Sequence, residues 1–115
     1  MNRRVRYSRS ALTDFQIVYR HLFRSYRQFG ETAEEARARA TRRIEKIREI
    51  ADSLGQRPYR GRRDDDLFPG LRHFTADRAV VYFKLDEDDH AVLVLGVFFG
   101  AENHKPKMAR RLLPK

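Results

Sequence analysis

Two long amphipathic patterns, joined by only a couple of residues, constrain this chain more than anything else in it. At 100° per residue, Leu12, Phe15, Val18, Tyr19, Leu22, Phe23, Tyr26 and Phe29 share one stripe roughly 140° wide, while Ile17 points the opposite way. The spacing predicts a helix over residues 10–29. Ser8 or Ser10 is placed to cap it by accepting a hydrogen bond from an otherwise unpaired N–H, and Gly30 to stop it, because glycine turns left-handed at little cost. A second helix is predicted over 32–54. It opens on Thr32-Ala33-Glu34-Glu35, a capping box in which threonine and glutamate satisfy each other's backbone donors. Its apolar side begins with small residues, Ala33, Ala36 and Ala40, that admit a close neighbour, and continues with Ile44, Ile47, Ile50 and Leu54 before Gly55. Helices so closely joined must fold back on each other as an antiparallel hairpin.

A hairpin with one greasy side needs a surface to cover. Residues 3–7 alternate polar and apolar, the period of a strand, and 71–75, 78–85 and 91–99 are rich in Val, Phe, Tyr and Leu. Turns at Ala76-Asp77 and Asp86-Glu87-Asp88-Asp89 make the last three an antiparallel meander, to which 3–7 adds a fourth strand. Val92 to Phe99 is apolar on both faces, as a central strand is when both sides are covered; the hairpin supplies one cover and the pattern names no other. Residues 56–70, with two prolines, two glycines and four arginines, read as a loop. In the tail 101–115, Pro106 and Pro114 act as breakers and 107–113 has room for one or two helical turns. With 115 residues the chain is too short for two cores, so the expectation is one α+β domain over 1–115, a helical hairpin packed on an antiparallel β-sheet.

Several classes of function are disfavoured. There is no cysteine, and His21, His73, His90 and His104 are too widely spaced for a metal motif, so neither a metal nor another cofactor is expected. No apolar run reaches the roughly 20 residues of a membrane span, and Met1 to Arg9 does not resemble a signal peptide, so a cytoplasmic protein without membrane contact is expected. The net charge of +9 is concentrated at the ends: residues 1–29 hold seven cations and one acid, residues 101–115 five and one. Such an excess favours a polyanion or an acidic protein partner. Arg57-Pro58-Tyr59-Arg60-Gly61-Arg62-Arg63 sets an aromatic among four arginines, a composition suited to nucleic acid, but Asp64-Asp65-Asp66 nearly neutralises it. A solvated connector is expected there, with the aspartates a polar turn rather than a magnesium site.

The order strand, helix, helix, strand, strand, strand carries a recognisable pattern. Pro69-Gly70-Leu71-Arg72-His73-Phe74, then Asp77-Arg78-Ala79-Val80-Val81-Tyr82-Phe83, then Val92 to Phe99 with Gly100-Ala101, resembles the carboxyl half of ParE-type toxins. Val5-Arg6-Tyr7-Ser8 leading into a hairpin is similar to their amino half, so the resemblance to the RelE/ParE toxins covers about residues 3–102. It implies the toxin of a bacterial type II toxin-antitoxin pair, held inactive in a hetero-oligomer with a cognate antitoxin; outside the family, the alternative is a small basic nucleic-acid-binding module.

Two mechanisms are known in that family. RelE-like members cut messenger RNA on the ribosome and place His, Tyr, Lys or Arg at the end of the last strand for acid-base work. Here that strand ends Val97-Phe98-Phe99-Gly100, and phenylalanine transfers no proton. ParE-like members inhibit DNA gyrase by binding, which the apolar end fits better, so no catalytic residue is assigned. Arg72 and Arg78 at strand starts, with His104, Lys105 and Lys107 beyond the last strand, are the candidates for target contact. His104 is expected in a solvated tail, Arg72 and Arg78 are equally suited to salt bridges with the aspartate-rich turns, and His73 is expected to be structural. Ile17, pointing away from the core stripe, and Tyr19 and Phe23 at its edge are the candidates for antitoxin contact.

Overall fold

The computed structural model describes residues 2–100 and 103–113; Ala101 of the Gly-Ala pair and the breaker Pro114 fall outside them. β1 (Arg4–Tyr7) leads into α1 (Arg9–Gln28) and α2 (Ala33–Asp52), then β2 (Arg62–Arg63), β3 (Arg72–Ala76), β4 (Ala79–Asp86), β5 (Ala91–Phe99) and α3 (His104–Leu112).

Local chemistry sets the hairpin ends. Ser8 caps α1 by accepting from the Ala11 N–H at 3.0 Å. Thr32 and Glu35 form the full capping box on α2, with bonds of 3.1 and 2.9 Å, and Gly30 turns between the helices at φ 96°. Beyond α2 a short 3-10 turn, Ser53–Gly55, brings the chain back to its beginning, where Arg3 N–H donates to the Gly55 carbonyl at 2.8 Å. A side chain at 55 would meet that Arg3 carbonyl at 2.5 Å, so only glycine permits the approach.

The sheet order is β1-β5-β4-β3-β2. The meander β3-β4-β5 is antiparallel as expected, and its first turn places Asp77 and Arg78 at φ 52° and 67°, the twin positive values of a tight two-residue hairpin. Two features differ from the sequence reading. β1 runs parallel to β5, so the sheet is mixed: the hairpin returns the chain to the end at which β1 starts, leaving both strands pointing the same way. Within the expected loop, Arg62 and Arg63 pair with His73 and Arg72 as a short edge strand, made possible by Gly61, whose Cα faces the His73 carbonyl.

The hairpin covers one face of the sheet through Ala11, Phe15, Val18, Leu22, Ile47 and Leu54, packed on Val81, Phe83, Val92 and Val94. Leu12 (45% exposed) and Phe29 (86%) leave the expected buried stripe; Phe29 is the C-cap of α1, at the turn of the hairpin. A β-bulge shifts the β4/β5 register, so that Tyr82 opposes Gly96 while Phe83 opposes Val94. The extra residue reverses the alternation: Val92, Val94 and Val97 all face the hairpin, and Phe98 faces the other side with Leu71, Val80 and Tyr82.

That other side is covered by α3, which drives fully buried Met108 and partly buried Leu112 onto it. Gly96 admits the helix, since a Cβ there would lie 3.0 Å from the Met108 sulfur. The tail forms a nine-residue helix, longer than the one or two turns expected.

Candidate functional site

β1 flanks only the first half of β5, from Ala91 to Val94. Past it, the open edge is closed by side chains instead of a strand. Asp14 of α1, 4% exposed, accepts the Val97 N–H at 2.9 Å and a two-pronged bond from Arg111 of α3 at 2.8 and 2.9 Å. Arg111 also donates to the Leu95 carbonyl at 3.1 Å. This ion pair, with its carboxylate buried and its guanidinium partly exposed, satisfies the Val97 N–H and the Leu95 carbonyl and fastens α3 to α1.

At the other end of α3 lies a polar cluster that sequence spacing did not disclose. His73 Nδ1 donates to Asp64 Oδ2 at 2.5 Å, and Tyr82 Oη and His104 Nδ1 lie 2.8 Å apart. The two imidazole rings are 5.8 Å apart. Asp64 is 3% exposed and Tyr82 fully buried. Burial, followed by the nearby Asp64 and Asp66, raises the Tyr82 phenol to about 12, so it stays protonated at neutral pH. Burial, and then the proximity of His73, hold His104 below its ordinary value; Lys105 adds to this and Asp64 opposes it. His104 is therefore no solvated tail residue: it opens α3 and gives the buried Tyr82 phenol its partner. Lys105, beside it, pairs with Asp66 at 3.2 Å.

The lowered His104 value makes stability depend on pH. The unfolded chain, with an ordinary value near 6.5, takes the proton more readily, so His104's contribution is complete above about pH 6.5 and is lost as pH falls below it. Thermal unfolding should show a smaller drop between about pH 7.5 and 5.5 in His104→Gln than in the parent. Equal drops would remove His104 as a source.

The candidates for target contact do not converge on one site. Arg72 donates to the Tyr59 carbonyl at 2.7 Å and lies 5.9 Å from its ring, while Arg78 sits 5.6 Å from the Phe99 ring. The acidic turns pair elsewhere, Asp89 with Arg6 at 2.7 Å and Asp77 with Arg43 at 3.2 Å. Only His104 joins the polar cluster, with Lys105 at its margin, while Lys107 lines a cleft between α1 and α3. His73, expected to be structural, contributes to that cluster. The candidates for antitoxin contact also part: Ile17 faces the cleft, Tyr19 a shallow groove with Phe15, Gln16 and Ile44, and Phe23 packs partly buried against the core.

Among the described residues no group of three His, Asp or Glu side chains is arranged to hold a metal ion, and no helix is long and apolar enough to cross a membrane. What the arrangement offers is an Asp-His pair beside a His-Tyr pair, with both imidazoles half-buried, and a basic cleft beside it.

No protein-family profile matches the sequence, and comparison with curated proteins finds no match. Solved structures do match. The chain is similar to a protein of the chromosomal ParDE toxin-antitoxin system from P. aeruginosa, with a TM-score of 0.66 and 18% identity over 85% of this chain and 96% of that one. It is similar to a chain of the RelBE2 toxin-antitoxin complex from Mycobacterium tuberculosis, with a TM-score of 0.59 and 16% identity over 89% and 95%. It is also similar to the isolated RelE toxin of E. coli, with a TM-score of 0.51 and 10% identity over 96% and 99%. The α+β fold is that of the RelE/ParE proteins.

Proposed function

We propose that a chain with this fold and site is the toxin of a type II toxin-antitoxin pair, that it arrests growth by binding DNA gyrase rather than by cutting RNA, and that a cognate antitoxin holds it inactive. The fold shared with proteins of the ParDE and RelBE systems supports the toxin reading.

One observation carries binding over cleavage. The last strand ends on Phe98 and Phe99, the His21 ring lies beside Phe99 at 6.1 Å, and the half-buried His73 and His104 are engaged by Asp64 and Tyr82. A nuclease must bring an acid and a base within hydrogen-bond reach of a phosphodiester. A surface that inhibits by binding needs neither.

The polar cluster favours a second reading, a ribosome-dependent ribonuclease. In it Asp64 would orient His73 as the base and His104, at the start of α3, would act as the acid. Expression in cells separates the readings. Growth should stop with DNA synthesis failing before translation, and co-expression of the short protein encoded next to it should restore growth. Translation failing first would reject the gyrase reading, and normal growth would reject the toxin reading.

A further inference from the structure

The two basic ends of the chain, far apart in sequence, meet across one cleft of about 550 Å³, within the range of sites that hold a small molecule. Arg20 and Arg24 line it from α1, one turn apart, and Lys107, Arg110 and Arg111 line it from α3. Its carboxylate, Asp14, is consumed by Arg111 and the Val97 N–H. Arg20, Arg24 and Arg110 are exposed and have no acid partner among the described residues, so three guanidiniums border one space with their charge unanswered.

Such a cluster specifies its occupant. Like charges brought together repel, and a group that carries several negative charges in a small volume relieves the repulsion most. A carboxylate carries one. A phosphate chain carries several, and its oxygens match the fork of a guanidinium two at a time. No free carboxylate remains in the lining to hold a metal ion between phosphates, so the arginines themselves must neutralise the chain.

The rest of the cleft suits a nucleoside. Its floor is the end of β5, Val97 to Phe99, and Ile17, 54% exposed, stands at its wall. These give a base and a sugar an apolar surface to cover. His21 also lines the cleft, its ring 6.1 Å from that of Phe99 and tilted by 53°, and its ring nitrogens can meet the edge of a base. No Ser, Thr, Asn or Gln joins it there among the described residues, so the site tells the number of phosphates better than it tells one base from another.

We propose that the cleft between α1, the end of β5 and α3 binds a nucleoside polyphosphate, with the phosphate chain on Arg20, Arg24 and Arg110 and the base against Ile17 and Phe99 beside His21. Because Arg20 and Arg24 belong to α1 and Arg110 to α3, the bound phosphates add a second tie between these helices beside the Asp14–Arg111 pair.

The test titrates the full chain with ATP, GTP, inorganic tripolyphosphate and adenosine, each without added metal, and follows amide exchange along α3. ATP and GTP should bind alike and slow exchange in α3, tripolyphosphate should bind about tenfold more weakly than ATP, and adenosine should not bind measurably. Arg20→Glu with Arg24→Glu, and separately Arg110→Glu, should each weaken ATP binding about tenfold or more. Ile17→Ala should weaken ATP and leave tripolyphosphate unchanged. Arg57→Glu with Arg62→Glu, the same change of charge outside the cleft, should leave ATP binding as it was; all are exposed positions, and circular dichroism verifies folding. No binding of ATP, equal losses in the two charge-reversed pairs, adenosine binding as tightly as ATP, or displacement of ATP by an oligo-dT of equal charge would overturn the site. Tripolyphosphate matching ATP would overturn the nucleoside, and unchanged exchange in α3 with ATP bound would overturn the tie.

Discussion

Arg111→Ala is expected to lower stability by about 3 kcal/mol and to free α3 from the sheet. Asp14 is almost wholly buried, and the guanidinium gives it two of its three hydrogen bonds. Truncation leaves a carboxylate out of water with one backbone N–H for company, which costs more than the pair itself contributes. The Leu95 carbonyl loses a donor in the same step. Replacing both partners, Asp14→Leu with Arg111→Leu, removes the orphaned charge and should recover much of the loss. Urea unfolding gives the stabilities, and amide exchange along α3 reports its release. A loss under about 1 kcal/mol with α3 still protected would place the pair among surface bridges and leave the helix held by Met108, Leu112 and the His104–Tyr82 bond.

Gly61→Ala is expected to cost about 2–4 kcal/mol, through strain and collision together. Gly61 has φ 83°, where an L side chain is strained, and its added Cβ would stand 2.2 Å from the His73 carbonyl oxygen. β2 would have to leave β3, taking Asp64 from the His73 imidazole. Gly70→Ala is the matched control, with φ 84° but open space around the new carbon, so it should show only the conformational cost of about 1 kcal/mol. The difference in melting temperature between the two variants measures the collision. Equal losses would mean that β2 yields without resistance.

What the sequence disclosed and what it withheld divide along the range of the interactions. The hairpin was legible because its determinants are local: Ser8 caps three residues ahead, and Thr32 and Glu35 cap each other. The meander was legible because turn residues separate its apolar runs. The direction of β1 was not, since alternation fixes the faces of a strand but not the sense of its neighbour. The cover on the second face depends on two apolar residues of α3, Met108 and Leu112, and on an ion pair between Asp14 and Arg111, 97 positions apart. No window along the chain holds both partners. The polar cluster was hidden for the same reason. His73 and His104, too distant in sequence to suggest a pair, are joined only when α3 docks. A usable signal was present in Met108 and Leu112 at helical spacing within a basic tail, together with the missing cover for a strand apolar on both faces. The basic charge was legible as a property of the two ends, but its convergence on one cleft was not.

Inhibition of gyrase by binding can be read with purified components. Gyrase supercoiling and ribosome-bound messenger RNA are each titrated with the chain freed of any partner. Supercoiling should fall as the chain approaches equimolar with gyrase, and the RNA should stay whole; His73→Ala with His104→Ala should leave that inhibition in place. Messenger RNA cut at substoichiometric chain, with supercoiling untouched and cutting abolished in that double variant, would contradict it.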